Sequence, residues 1–283
     1  MATRTALVTG ANAGIGLETA RGLAKRGYRV VLTARDSAKG EAAIAELRRT
    51  HPEAELELLR LDLASLQSVR AAAAEALDRF ERIEVLVNNA GIIVQSRQLS
   101  VDGHELTFAV NFLGPYLFTR LLLDRLLASA PARVVNVSSE VHRQSRGLPR
   151  EDLSLERDFS LLNAYANSKL ANILFTRELA RRTAGSGLTT NALHPGAVAT
   201  RMGQDGDLNP VFAFFYRLGH IFMLSPEAGA RTSVYLASAP EVEGVSGGYF
   251  KRCKPIDPSK AAQDEEAARW LWDRAAQLVD GSN

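Results

Sequence analysis

The chain has 283 residues, 46% of them hydrophobic and 23% charged, which excludes a disordered or fibrous protein. Its 34 Lys plus Arg against 32 Asp plus Glu leave a net charge of +2, and no Lys/Arg block is dense enough for counterion-release binding to nucleic acid. A single cysteine, Cys253, forms no internal disulfide and suits a reducing compartment, and no run of 18 apolar residues suggests a membrane span.

Ala6-Leu7-Val8 is a strand-like run leading into a Gly-rich turn, and 15–26 reads as a helix. Val8-Thr9-Gly10 arrives too early for a signal peptide, so the expected location is cytoplasmic. The β-branched run 29–33 predicts a second strand, 38–50 a helix, and 56–61 a third strand. Ser65 is placed to cap a helix over 66–80. Strands follow at 85–87 and 134–137 with a long helix near 105–127 between them. A helix over 164–182, a sixth strand at 188–193 and a terminal helix carrying Trp270 and Trp272 complete the pattern. Two tryptophans two positions apart cannot share one helix face, and packing is the expected role of both. Alternation without a linker predicts one α/β domain over 1–283: a doubly wound, Rossmann-type parallel sheet with helices on both faces.

Two segments break the alternation. Residues 140–163 are polar and irregular, an insertion beside the predicted ligand edge. Residues 197–225 lack strand character and carry Phe212, Phe214, Phe215, Tyr216, Ile221, Phe222 and Met223, interrupted by Arg217 and His220. Both follow strands, at the carboxyl edge where ligands bind, and the second is expected to form a substrate lid that also contributes to the core.

The turn from the first strand to the first helix reads Gly10-Ala11-Asn12-Ala13-Gly14-Ile15-Gly16, spaced G-x-x-x-G-x-G. Such glycines admit positive φ and let a pyrophosphate approach the positive end of the helix. The second strand ends Thr33-Ala34-Arg35-Asp36. A carboxylate at the terminal position would take ribose hydroxyls; with Ala34 there, Arg35 is free to pair with a 2′-phosphate, so NADP(H) is favoured, with NAD(H) still open. Asp36 opposes this unless it caps the next helix.

Tyr165 and Lys169 stand at i and i+4 of a predicted helix, on one face. A neighbouring ammonium would lower the phenol pKa from about 10 into the range of proton transfer. A hydroxyl from Ser138 or Ser139 would complete the site.

Together these motifs resemble the classical short-chain dehydrogenase/reductase family over almost the full chain. Thr9-Gly10, Gly14-Ile15-Gly16, Asp62-Leu63, Asn88-Asn89-Ala90-Gly91, Asn111, Ser139, Tyr165/Lys169 and Pro195-Gly196 stand in the family's order and spacing. Asn136-Val137-Ser138-Ser139, His194-Pro195-Gly196 and Gly247-Gly248-Tyr249-Phe250 resemble its retinol dehydrogenase and carbonyl reductase branch. The resemblance implies Tyr165 as general acid or base and Lys169 as its activator and a nicotinamide-ribose ligand. It implies Ser139, the second of the pair, as the group orienting the substrate oxygen, and Asn111 as holder of a relay water. Asp62 and Leu63 would edge the adenine, Asn89, Ala90 and Gly91 would pack beside its ribose, and Pro195, Gly196, Val198 and Thr200 would meet the nicotinamide end. Relatives often form dimers or tetramers through the helices at 105–127 and 164–182, where Leu121, Leu122 and Ile173 are candidates for a partner face or for core. The long gap from Ser139 to Tyr165 departs from the family norm, as does the lack of an N-terminal apolar anchor found in membrane-bound relatives.

No histidine spacing fits a metal site, and His194 reads as structural more readily than as a site residue. The function expected is NADP(H)-dependent hydride transfer on a lipophilic alcohol/carbonyl pair: retinal, an aliphatic aldehyde, a steroid-like ketone or a polyketide. The alternative is a non-catalytic NADP-sensing regulator on the same fold. An epimerase would need a larger region after Gly196, and an enoyl reductase a wider Tyr–Lys spacing.

Overall fold

The computed structural model describes residues 3–198 and 224–281. Eight strands form one sheet in the order β3-β2-β1-β4-β5-β6-β7-β8. They are β1 (Thr5–Val8), β2 (Arg29–Ala34), β3 (Leu56–Arg60), β4 (Val85–Asn88), β5 (Ala132–Val137), β6 (Leu188–Leu193), β7 (Tyr249–Lys251) and β8 (Lys254–Pro255). All neighbours pair parallel except β7 and β8. The chain order reverses between β1 and β4, the switch point at which a doubly wound sheet opens a ligand crevice.

Side-chain alternation divides the core between the two faces. Leu7, Val31, Leu86, Val134, Ala192 and Tyr249 point to one. It is covered by α3 (Leu66–Arg79), α5 (Gly114–Leu121), α7 (Leu161–Arg182) and the terminal α9 (Glu265–Asp280). Val8, Val30, Leu32, Val87, Val135, Leu193 and Phe250 point to the other, under α1 (Gly14–Ala24), α2 (Ser37–Thr50) and α8 (Pro226–Ser238). The doubly wound fold expected from the sequence is therefore present, and the Ser65 cap holds, its hydroxyl accepting from Ser68 N.

The structure differs from the sequence expectations in four places. The helix expected over 105–127 is broken into α4 (Leu106–Phe108), a π-helical turn (Ala109–Leu113), α5 and α6 (Leu123–Ala128). Of Leu121, Leu122 and Ile173, weighed as partner face or core, Leu122 and Ile173 are buried within this chain and Leu121 is half-buried; α9 lies over α5 and α7, with Trp272 packed on Tyr116 and Phe175. Helix α8 and the β7–β8 hairpin were not anticipated. The 140–163 insertion opens with a 3₁₀ turn (Glu140–Gln144) and ends inside α7, which starts at Leu161. Of the 197–225 segment only the ends are described; they meet where Leu224 N donates to Ala197 O at 2.8 Å. Thr200 and the aromatic cluster at 212–223 lie outside the described residues.

Candidate active site

At the phosphate end, Gly10 and Gly14 take φ values of +63° and +57°, a left-handed conformation that a side chain would strain. A Cβ on Gly16 would stand 2.3 Å from Gly10 O, so the helix can press on the turn only with glycine there. Ala13, the residue before α1, offers no capping side chain, and the first turn of the helix holds no acidic residue. Helices α2, α3, α7, α8 and α9 are all capped by their own side chains. The first-turn N–H groups and the positive end of α1 are thus left for an anionic ligand, which fits a dinucleotide pyrophosphate. Thr9 Oγ1 accepts from Asn89 N and Ala90 N, and Asn89 Nδ2 donates to Thr9 O at 2.8 Å. The Asn89 amide therefore braces the Gly-rich turn from β4.

Arg35 is exposed at the end of β2 and makes no hydrogen bond or ion pair among the described residues. Asp36 caps α2, its carboxylate accepting from Lys39 N at 3.2 Å. The acid beside Arg35 is thereby committed to the helix. Asp62 Oδ1 accepts from Ala64 N, and Leu63 is buried in the core against Gly114.

The proton-transfer end gathers from three elements. Ser139 leaves β5 in extended conformation, and its hydroxyl hydrogen-bonds to that of Tyr165 on α7. Ser138 is buried and donates to Lys169 O at 2.7 Å, so its hydroxyl is engaged with α7. One turn beyond Tyr165, Lys169 is 2% exposed, with Nζ 3.0 Å from Val137 O and 5.6 Å from the Tyr165 ring centroid. Burial lowers its pKa from 10.5 to about 8. Burial also pushes the Tyr165 phenol up, opposed by the Ser139 hydrogen bond. The sequence expectation of a phenol depressed by the ammonium is thus corrected: removal from water outweighs the Ser139 hydrogen bond.

Asn111 sits in the π-helical turn, a feature frequent at functional sites. Its Oδ1 accepts from Ile92 N at 2.7 Å, and its Nδ2 donates to Ile92 O and Ser168 Oγ, each at 3.0 Å. This amide ties the loop after β4 to α7. A Cβ on Gly91 would lie 3.3 Å from both Asn111 Oδ1 and Lys169 Nζ, so that glycine keeps the space before the ammonium open. After β6, Gly196 takes φ +93°, and Val198 lies with Ile15 against Gly229 of α8.

Sequence reasoning missed a ring cluster behind Ser139. His142, Tyr249 and His194 pack in succession, with ring centroids 5.1 Å and 6.0 Å apart. His194 is buried; its Nδ1 accepts from Gly196 N, and its Nε2 lies 2.8 Å from Glu140 Oε2 in an electrostatic contact without hydrogen-bond alignment. The only local signal for the cluster was a histidine three residues after Ser139.

A sequence model of the family described as short chain dehydrogenase matches residues 4–209. Human retinol dehydrogenase 13 is 45% identical over 280 residues, covering 98% of this chain and 84% of that protein. A crystal structure of a Mycobacterium paratuberculosis protein superposes with a TM-score of 0.77 at 36% identity, covering 99% of this chain and 94% of the other. A gluconate 5-dehydrogenase from Burkholderia cenocepacia, in complex with NADP and tartrate, superposes with a TM-score of 0.68 at 25% identity over 88% of this chain and 93% of its own. No helix among the described residues is long and apolar enough to cross a membrane.

Proposed function

We propose that this chain, which belongs to the short-chain dehydrogenase family in its retinol dehydrogenase branch and is an alcohol/carbonyl oxidoreductase, exchanges hydride between NADP(H) and a lipophilic alcohol/carbonyl pair. The observation that carries the reading is the Ser139–Tyr165 hydroxyl pair set beside the buried Lys169. When bound, the nicotinamide supplies or accepts the hydride. The chain itself positions the substrate oxygen and handles its proton.

In reduction, Tyr165 donates its proton to the carbonyl oxygen, and the Ser139 hydroxyl orients that oxygen by hydrogen bonding. A phenol raised by burial holds its proton until alkoxide charge develops on the substrate. Lys169, titrating at about 8, is an ammonium at neutral pH and offsets the phenolate left behind. Oxidation runs the same steps in reverse. With both Asn111 amide protons engaged, a relay water would meet its main-chain carbonyl or the second lone pair of Oδ1.

For the cofactor, α1 and Gly10, Asn12, Ala13, Gly14, Ile15 and Gly16 hold the pyrophosphate, and Asp62, Leu63, Asn89, Ala90 and Gly91 border the adenosine. Tyr165, Lys169, Pro195, Gly196, Val198 and Thr200 meet the nicotinamide half. The uncommitted Arg35 beside a capping Asp36 supports NADP(H) over NAD(H). The kinship to retinol dehydrogenases and the aromatic composition of 212–223 support an apolar substrate of the retinal or aliphatic aldehyde and ketone class. The single cysteine favours a cytoplasmic setting.

The test is NADPH consumption by the purified protein with retinal, aliphatic aldehydes and ketones, beside Tyr165→Phe. Turnover with at least one lipophilic carbonyl is expected, lost in the variant while NADPH binding persists. Absence of cofactor binding, or a Tyr165→Phe protein as active as wild type, would overturn the reading.

A further inference from the structure

We propose that His142 is a positioning residue for the Ser139 hydroxyl, acting as a neutral ring with its proton on Nδ1, clamped between the Ser139 carbonyl and the Ser259 amide. The proposal rests on the reading of Ser139 and Tyr165 as the proton-transfer pair.

The His142 side chain is fully buried, so each ring nitrogen needs a partner. Nδ1 lies 2.7 Å from Ser139 O, and Nε2 lies 3.0 Å from Ser259 N. A carbonyl only accepts and an amide N–H only donates. The two partners therefore fix one tautomer: Nδ1–H donates to Ser139, and the Nε2 lone pair receives the Ser259 proton. An imidazolium would set its Nε2–H against the Ser259 N–H, donor facing donor.

Ser139 O also accepts the main-chain N–H of His142 at 3.1 Å. Two donors from one residue thus grip the carbonyl of the residue whose hydroxyl meets Tyr165. That hydroxyl is held further by Val141 N at 3.2 Å. The 139–140 peptide cannot rotate without breaking both carbonyl bonds, and the Val141 N–H that holds Oγ belongs to the turn this peptide opens.

The clamp has outside support. Tyr249 meets the His142 ring edge-on at 75°, its hydroxyl 3.4 Å from Nδ1, which sets the ring plane. Ser259 caps the short 3₁₀ turn Lys260–Gln263, and so delivers its amide from a segment 117 residues away in sequence. The segment before α9 is in this way wired to the catalytic serine.

Two substitutions separate positioning from packing. His142→Phe keeps a ring against Tyr249 but removes both nitrogens. His142→Asn places an amide N–H at the δ position, restoring the donor to Ser139 O while leaving Ser259 unpaired. In steady-state carbonyl reduction with NADPH, His142→Phe should lower kcat on the order of tenfold to a hundredfold, as misorientation of a reacting group does. KM and the NADPH Kd should stay within about twofold, and His142→Asn should recover most of kcat. Wild-type kcat in His142→Phe, or an equal loss in both variants, would overturn the proposal. Histidine-selective ¹⁵N spectra of the wild-type protein decide the matter even if neither variant folds. An Nδ1–H tautomer for the buried ring is expected, and an Nε2–H tautomer or an imidazolium at neutral pH refutes it. Failure of the underlying reading looks different: there the wild type is inactive or Tyr165→Phe is active, and this proposal falls with it.

Discussion

Replacing Lys169 by Met should make the protein more stable at neutral pH while removing its activity. The ammonium is 2% exposed, and burial has moved its titration from 10.5 to about 8. At about 1.4 kcal/mol for each tenfold in the protonation equilibrium, holding the charged form inside costs about 3 kcal/mol at pH 7. The hydrogen bond from Nζ to Val137 O offsets part of what the variant recovers, since a charged hydrogen bond contributes about 1.5–3 kcal/mol. Val137 O keeps a second donor, Asn172 Nδ2 at 3.4 Å, so no carbonyl is orphaned. Met is unbranched and fills the channel of the lysine stem. A net gain of about 1 kcal/mol follows, or roughly 2–4 °C in Tm for a chain of this size.

The sign with pH is fixed as well. A lysine whose folded pKa lies below its unfolded value carries the full penalty below about 8. Between about 8 and 10.5 the unfolded chain binds the extra proton, so wild-type stability rises and the advantage of the variant shrinks. Urea unfolding followed by far-ultraviolet circular dichroism, at neutral pH and again near the upper value, reads both effects. A variant less stable than wild type at neutral pH, or one whose advantage persists as the pH rises, would refute the reasoning.

Arg35→Ala should lower the preference for NADPH over NADH by roughly tenfold, about 1.4 kcal/mol, leaving NADH affinity unchanged in a nicotinamide fluorescence titration; an unaltered preference would remove Arg35 from the 2′-phosphate site. Gly16→Ala brings a methyl to 2.3 Å from Gly10 O and 2.5 Å from Asn89 Nδ2. It should destabilise the protein by about 1–3 kcal/mol in urea melts and abolish dinucleotide binding, and wild-type affinity in a folded variant would contradict the close-packed turn.

Much of the fold was legible because the relevant forces are local. Val30, Val31 and Leu32 announce a strand wherever they pack, and the Ser65 and Asp36 caps act within three residues of themselves. The β7–β8 hairpin was not legible: its turn puts Arg252 and Cys253 at φ +48° and +62°, a conformation usually signalled by Asn or Gly. The helix expected over 105–127 carried a break signal in Gly114-Pro115, which opens α5, whereas the π-helical turn just before it leaves composition untouched while shifting register at Asn111. Tyr165 and Lys169 were readable as a pair from their spacing on one helix. The state of the pair was not, because desolvation depends on the layers packed around α7 and is absent from any four-residue motif.

By itself, the sequence determined a doubly wound sheet, a Gly-rich turn at the head of a helix, and a Tyr–Lys pair one helical turn apart. Periodicity, caps and backbone freedom are properties of neighbours along the chain. The tertiary structure decided that Ser139 meets Tyr165 while Ser138 ties down α7, and that the Asp36 carboxylate is taken up in capping α2. It also decided that Lys169 is dry, and that Ser259 reaches back to His142. Each of these depends on which distant surfaces exclude water from one another, and that is settled only when β5, β6, α7 and the segment before α9 pack at the same edge of the sheet.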